Sequence, residues 1–229
     1  MFQFKQFSIC QDRCAMKVGT DGVLLGAWAR GGHRVLDIGT GTGVIALMMA
    51  QRFVGAEVLG IDIDAVAVAQ ASENAMASPF ASRVSMLQAD VCTFQSAMPF
   101  DSIVCNPPFF IDSLPSPDAR RSIARHTDTL SYRQLMQNSW RLLADEGQLS
   151  VVIPFDCRER LESEAFIVGF FKTREVAVKT TPRKAPRRYL LAFSKHSADF
   201  EKSEGVIEDV PGHRSLWYET LTGDFYCSA

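Results

Sequence analysis

Six cysteines are too irregularly spaced to suggest a disulfide framework or a zinc site, and no pair stands at CxxC spacing. Cys10 and Cys14 could share a helix face, but no histidine lies near them, so unpaired thiols in a reducing cytoplasm are expected. His33, His196 and His213 show no ligand spacing either, and no metal is expected. Apolar runs are short. None approaches the ~20 residues of a membrane-spanning helix. The opening MFQFKQF lacks both a continuous apolar stretch and a small-residue cleavage site, which argues against a signal peptide. Net charge is only −2, so the molecule as a whole does not advertise a polyanionic partner. With no repeats, low-complexity tracts or linker, the 229 residues read as one domain, 1–229. Within it fall an N-terminal extension (1–30), a core (31–196) and a tail (197–229).

From residue 33 onward strands and helices alternate. HRVLDI (33–38) is a short apolar strand, and 44–52 is a helix with continuous apolar character, suited to packing on a sheet. A strand over 57–62, an alanine-rich helix over 65–76 and a strand over 83–88 follow. The strand over 100–105 is stopped by Pro107 and Pro108, which cannot continue a central ladder. Residues 132–143 form an amphipathic helix ended by Gly147, 148–153 a fifth strand and 161–170 a helix. Two further strands, 175–180 and 188–194, flank a basic, proline-containing loop. The expected fold class is therefore α/β: a doubly wound, mostly parallel, seven-stranded Rossmann-like sheet with a terminal antiparallel hairpin. Ligands should bind at the carboxyl ends of its strands.

The first strand runs into DIGTGTG (Asp37–Gly43). Glycines between a strand and a helix allow a tight turn and a close backbone approach to a ligand. Dinucleotide enzymes use GxGxxG, whereas Gly39, Gly41 and Gly43 make GxGxG, with Val44 where the last glycine would fall. Asp62 closes the next strand about 20 residues on, as a ribose-hydroxyl acceptor should. Asp64 suits a helix cap. The loop resembles the first motif of class I S-adenosylmethionine methyltransferases. That resemblance implies contact of Asp37, Gly39 and Gly41 with the methionine part, Asp62 on the ribose and Asp90 on the adenine amine. Upstream, Lys17 to Trp28 resembles the extra N-terminal motif of amine-methylating members, with Lys17 and Thr20 near the cofactor. Thr20 or Asp21 could cap a helix whose amide-rich start suits a carboxylate.

About 60 residues after the glycine loop, a strand ends in NPPF (Asn106–Phe109). The Asn106 side-chain carbonyl and the Pro107 backbone carbonyl can both accept from one NH₂ group. Pro107 and Pro108 stiffen the turn, each fixing its own φ and restricting its predecessor. A nitrogen held this way can aim its lone pair at a methyl donor, and positioning of this kind can supply about 7–11 kcal/mol. Phe109 offers a flat surface on which an unstacked base can lie. These four residues are the candidate catalytic set, and Asn106 also borders the cofactor.

Enzymes with such a turn methylate adenine, guanine in ribosomal RNA, or glutamine in release factors. Adenine in DNA is disfavoured because the chain has no insertion like the separate target-recognition domain of restriction-associated DNA enzymes, and local charge favours a nucleic acid over a protein. Arg120, Arg121, Arg125 and His126 follow the turn, and Arg183, Lys184, Arg187 and Arg188 crowd the last interstrand loop. Of these, Arg120, Arg125, Arg183, Lys184, Arg187 and Arg188 are taken with Phe109 as substrate contacts. The acid-rich stretch 197–212 would repel phosphate and is placed away from the RNA. End to end, FxFKQFxI, KVGTDGVLLGAW, the glycine loop, NPPFF, ARHTDTLSY, PRRYLLAF and the closing LTGDFY are similar to bacterial tRNA-valine (adenine-N(6))-methyltransferases. The resemblance implies methylation of adenosine 37, next to the anticodon, with S-adenosylmethionine as cofactor and tRNA as partner. Alternatives are a ribosomal-RNA guanine-N(2) enzyme, a protein-glutamine enzyme and a non-catalytic RNA-binding module. A nicotinamide oxidoreductase would need the missing third-glycine spacing and would leave Asn106 unexplained.

Overall fold

The computed structural model describes residues 1–14, 16–107 and 130–227. The expectations for Pro108, Phe109, Arg120, Arg121, Arg125 and His126 lie outside the described residues. Two short strands open the chain, β1 (Phe2–Gln3) and β2 (Ser8–Ile9). Then come α1 (Thr20–Trp28), β3 (Arg34–Ile38), α2 (Val44–Arg52), β4 (Glu57–Asp62), α3 (Ala65–Met76), β5 (Val84–Gln88) and β6 (Phe100–Cys105). The second half holds α4 (Tyr132–Leu142), β7 (Leu143–Pro154), a 3-10 turn (Phe155–Cys157), α5 (Arg158–Val168), β8 (Phe171–Lys179) and β9 (Arg188–Ser194). The tail adds β10 (Glu201–Val206), β11 (Glu208–Val210), β12 (His213–Arg214) and α6 (Leu216–Thr222).

The main sheet runs β10-β8-β9-β7-β6-β3-β4-β5. Strands β3 to β7 pair in parallel, while β9 is antiparallel to both β7 and β8. The doubly wound sheet with its antiparallel hairpin is thus as expected, with one strand more. That strand, β10, joins the outer edge parallel to β8. Its sequence EKSEGV is exposed over its first four residues and carries no apolar alternation, so nothing in it reads as a strand. Its acids bind the edge: Glu201 meets Arg30 and Arg174, and Glu204 meets Lys179.

Side-chain alternation divides the core into two halves. Val35, Val104, Val152 and Leu190 pack with α1 and α2 on one face, whereas Leu36, Ile103, Val151 and Leu191 pack with α4 and α5 on the other. Arg52 of α2 donates to the carbonyls of Gly26 (2.9 Å) and Ala29 (2.6 Å), satisfying orphan acceptors at the end of α1. The opening and closing segments meet: Lys5 N–H bonds the Phe225 carbonyl at 2.8 Å, and the Phe4 and Tyr226 rings stack at 5.9 Å.

Three local readings change. Cys10 and Cys14 lie in an irregular stretch, not on a helix, and its backbone N–H groups are held by Asn74 and Gln70 of α3. Helix α1 is capped by Gly19 with no side-chain bond, and Thr20 is its first residue. Gly147 lies inside β7, which begins at Leu143 because Leu143 already pairs with Phe100.

Candidate active site

At the carboxyl ends of β3, β4 and β6 opens a cavity of about 710 Å³, a size suited to a nucleoside-type ligand. The glycine loop forms one wall. Gly39, Gly41 and Gly43 have φ of 69°, 54° and 81°, in the left-handed region that side chains rarely adopt. A Cβ at Gly39 would meet nothing within 4 Å, so its outer face is open to a ligand. The loop is tied down by N–H bonds from Gly39 (2.9 Å) and Thr40 (3.0 Å) to the Ile61 carbonyl.

Asp62 accepts from Gly41 N–H (2.9 Å) and from Asp64 N–H (3.0 Å), one bond on each carboxylate oxygen. Each oxygen keeps a lone pair, so Asp62 can still accept from a diol facing the cavity. Asp64 caps α3 through Val66 N–H at 2.8 Å. Asp90 makes a turn bond to Cys92 N–H at 2.9 Å through one oxygen and lines the cavity as well. Its cap and its exposure to a ligand are compatible. Lys17, Thr20 and Asp21 bring the start of α1 to the same cavity.

Asp37 is elsewhere. It shares the face of Val35, so it points beneath the loop toward α2 and does not line the cavity. Fully buried, it accepts from the Thr40 hydroxyl (2.7 Å) and Ala46 N–H (3.2 Å), while its second oxygen has no partner among the described residues. Burial pushes its carboxyl up to about 7, against the pull of those two bonds and with a contribution from Asp62. Folding therefore favours the protonated form: the folded chain holds an extra proton between about pH 4 and pH 7, and stability falls as pH rises through that window. Urea unfolding of the wild type and Asp37→Asn at stepwise pH should show the wild type losing ground to the variant across it. A pH-independent difference between them would overturn the assignment.

Asn106 follows β6 and lines the cavity, with its Oδ1 buried and without a partner among the described residues. An unpaired buried acceptor costs about 1–3 kcal/mol, which a donor from a ligand would offset. Pro107 beside it is buried. Burial first, then the Asp37 and Asp62 carboxylates, hold the neighbouring Cys105 thiol well above its ordinary range, so no thiolate stands ready as a nucleophile.

The basic loop divides. Arg183, Lys184 and Arg187 are exposed, but Arg188 reaches the cavity and pairs with Asp21. Sequence reasoning passed over Thr40, although it stands inside the glycine loop, and missed Gln134 and the Arg188–Asp21 pair as wall residues, since the sequence carries no sign of contacts as distant as those two. Among the described residues one acid–histidine group gathers, Asp145, Glu146 and His196, all exposed and none lining the cavity.

Residues 18–183 match the family described as Methyltransferase small domain. The chain is 45% identical to the tRNA1(Val) (adenine(37)-N6)-methyltransferase of Bacteroides thetaiotaomicron, covering 98% of this chain and 96% of the relative. Proteins of that name from Phocaeicola vulgatus (47%, 98% and 97%) and Tolumonas auensis (42%, 98% and 96%) are also similar. Among solved structures, a protein of Agrobacterium tumefaciens described as a predicted O-methyltransferase superposes with a TM-score of 0.70 at 18% identity, over 90% of this chain and 96% of that one. A glycopeptide N-methyltransferase complexed with S-adenosyl-L-methionine does so at 0.58 and 13%, over 79% and 90%. At such identities they bear on the fold alone. An open glycine cradle, free acceptors on Asp62 and Asp90 and the orphan Asn106 carbonyl all fit S-adenosylmethionine beside an amine, and no helix is long and apolar enough to cross a membrane among the described residues. The chain belongs to the Methyltransferase small domain family and, within it, to the tRNA1(Val) (adenine(37)-N6)-methyltransferases.

Proposed function

We propose that this chain transfers a methyl group from S-adenosylmethionine to the N(6) amine of adenosine 37 in tRNA-Val, acting in the cytoplasm. One observation carries the chemistry: the Asn106 carbonyl is buried and, among the described residues, unpartnered on the cavity wall beside the glycine loop. When bound, the cofactor supplies an electrophilic methyl group. Asp62 and Asp90 hold its ribose and adenine, and Lys17 and Thr20 border its methionine end. Gly39 and Gly41 leave room for it, and Asp37 acts from below by fixing Thr40. The Asn106 and Pro107 carbonyls accept from the target NH₂ and fix its orientation, so catalysis is chiefly positioning. No strong base is required, since the proton becomes acidic only as the N–C bond forms. Pro108 keeps the turn rigid, and Phe109 stacks the base. Arg120, Arg125, Arg183, Lys184 and Arg187 draw in phosphates, while Arg188 borders the target. Adenine is favoured over guanine and glutamine by the near full-length similarity to the relatives above.

Incubation with unmodified tRNA-Val and labelled cofactor, followed by nucleoside mass analysis, should give N(6)-methyladenosine at position 37. Methylguanosine, or label on protein only, would transfer the reading to the guanine or glutamine alternative. Tight tRNA binding with no transfer would leave a non-catalytic module. Asp62→Ala should weaken cofactor binding, measured by calorimetry, by roughly tenfold or more through loss of charge-assisted hydrogen bonds.

A further inference from the structure

We infer that Phe155 is a stacking platform for the nucleotide next to the methylated one, an inference that rests on the RNA reading above. Phe155 opens the 3-10 turn after β7 and is 53% exposed. Sheet register fixes its neighbourhood. Cys105, which precedes Asn106, pairs with Val151 of β7, so Phe155 lies just past the level of the Asn106–Pro107 turn. On its other side Pro154 pairs with Arg188, and Phe155 N–H bonds the Arg187 carbonyl at 3.0 Å. Its backbone thus lies between the amine-orienting turn and the basic loop at the carboxyl edge of the sheet, and its ring, packed on Tyr189 of the α4–α5 half of the core, is beyond the residues that line the cavity.

Its support is built. The Phe155 ring packs on buried Tyr189 with centroids 6.2 Å apart and planes inclined by 32°. The Arg158 guanidinium lies 4.6 Å above the Tyr189 ring and is itself held by Glu162 at 2.9 Å and Glu175 at 3.4 Å. A half-exposed ring backed by a fixed aromatic and a fixed cation presents one flat apolar face at little cost in side-chain entropy. Exposed Asp156 follows directly and disfavours a phosphate at this spot, whereas a base face tolerates it. Exposed Arg183, Lys184 and Arg187 can take the flanking phosphates. Removing a base from its stack leaves its neighbour without a partner, and an aromatic surface replaces the lost contact.

The test is steady-state methylation of a tRNA-Val transcript by the wild type, Phe155→Ala, Phe155→Leu and Phe155→Trp, with Phe166→Ala as control. Phe166 is 82% exposed near the far end of α5. Phe155→Ala should raise the tRNA KM about tenfold, leave kcat within about twofold and leave cofactor affinity unchanged; Trp should restore KM and Leu should not. An unchanged KM in Phe155→Ala, with the wild type active on tRNA, overturns the platform and leaves the function standing. Rescue by Leu equal to that by Trp overturns it too, since that would mean the ring only fills space. A wild type that fails to methylate tRNA overturns both.

Discussion

Asn106→Ala is expected to lose methyl transfer by at least roughly a hundredfold, the scale on which misplaced reactants lose rate. Folding stability should not fall with it. The Asn106 Oδ1 is buried and without a partner among the described residues, so removing it deletes an unsatisfied acceptor rather than a formed bond. Natural sequences hold such strained groups at functional sites, and their removal typically stabilises while abolishing activity. Cofactor affinity should change little, because Asp62, Asp90 and the glycine loop are untouched. Three measurements separate the readings: single-turnover rate, thermal midpoint and cofactor affinity by calorimetry. A midpoint that falls sharply alongside the rate would mark Asn106 as a residue that merely builds the turn. A retained rate would sink its role in orienting the amine.

Much of this site was legible because its residues act over short sequence distances. Asp64 caps α3 two residues ahead of Val66, and the positive-φ glycines declare themselves by being glycine. The parallel core strands were legible from apolar runs, since burial on both faces needs no alternation. That same absence of alternation concealed the orientation of Asp37: a strand buried on both faces does not reveal which one a given acid meets. It meets α2, and so serves the loop from beneath. Strand β10 was illegible for a different reason. Its pairing rests on backbone bonds to β8 and on ion pairs to Arg30, Arg174 and Lys179, which lie far away in sequence. Arg188 shows the same limit, since the four basic residues of one short loop look alike until the register of β9 with β7 turns one of them to Asp21.

Gly60→Ala should disable the cofactor site from a position outside the cavity wall. Gly60 is in the middle of β4, paired with Asp37 of β3, and a Cβ there would come within 2.5 Å of Met86 Sδ and 2.7 Å of Thr40 Oγ1. The thioether can swing aside, but Thr40 cannot: its N–H is tied to the Ile61 carbonyl and its hydroxyl to Asp37. Displacing that hydroxyl would leave the buried Asp37 with only Ala46 N–H, and the Gly39–Gly43 turn would lose its brace. Overpacking of this kind costs about 1–3 kcal/mol. In a chain of this size that corresponds to a fall in thermal midpoint of about 2–4 °C per kcal/mol. Cofactor affinity should weaken in parallel, with turnover at saturating cofactor largely kept, because Asn106 is undisturbed. Gly55→Ala is the matched control: the position is exposed, with nothing within 4 Å of an added Cβ, so its effect should stay within about 0.5 kcal/mol. Adding Met86→Ala to Gly60→Ala relieves the sulfur contact but not the one with Thr40, so cofactor affinity should remain impaired. Full recovery in the double variant would move the cause from the Thr40–Asp37 brace to the packing of Met86.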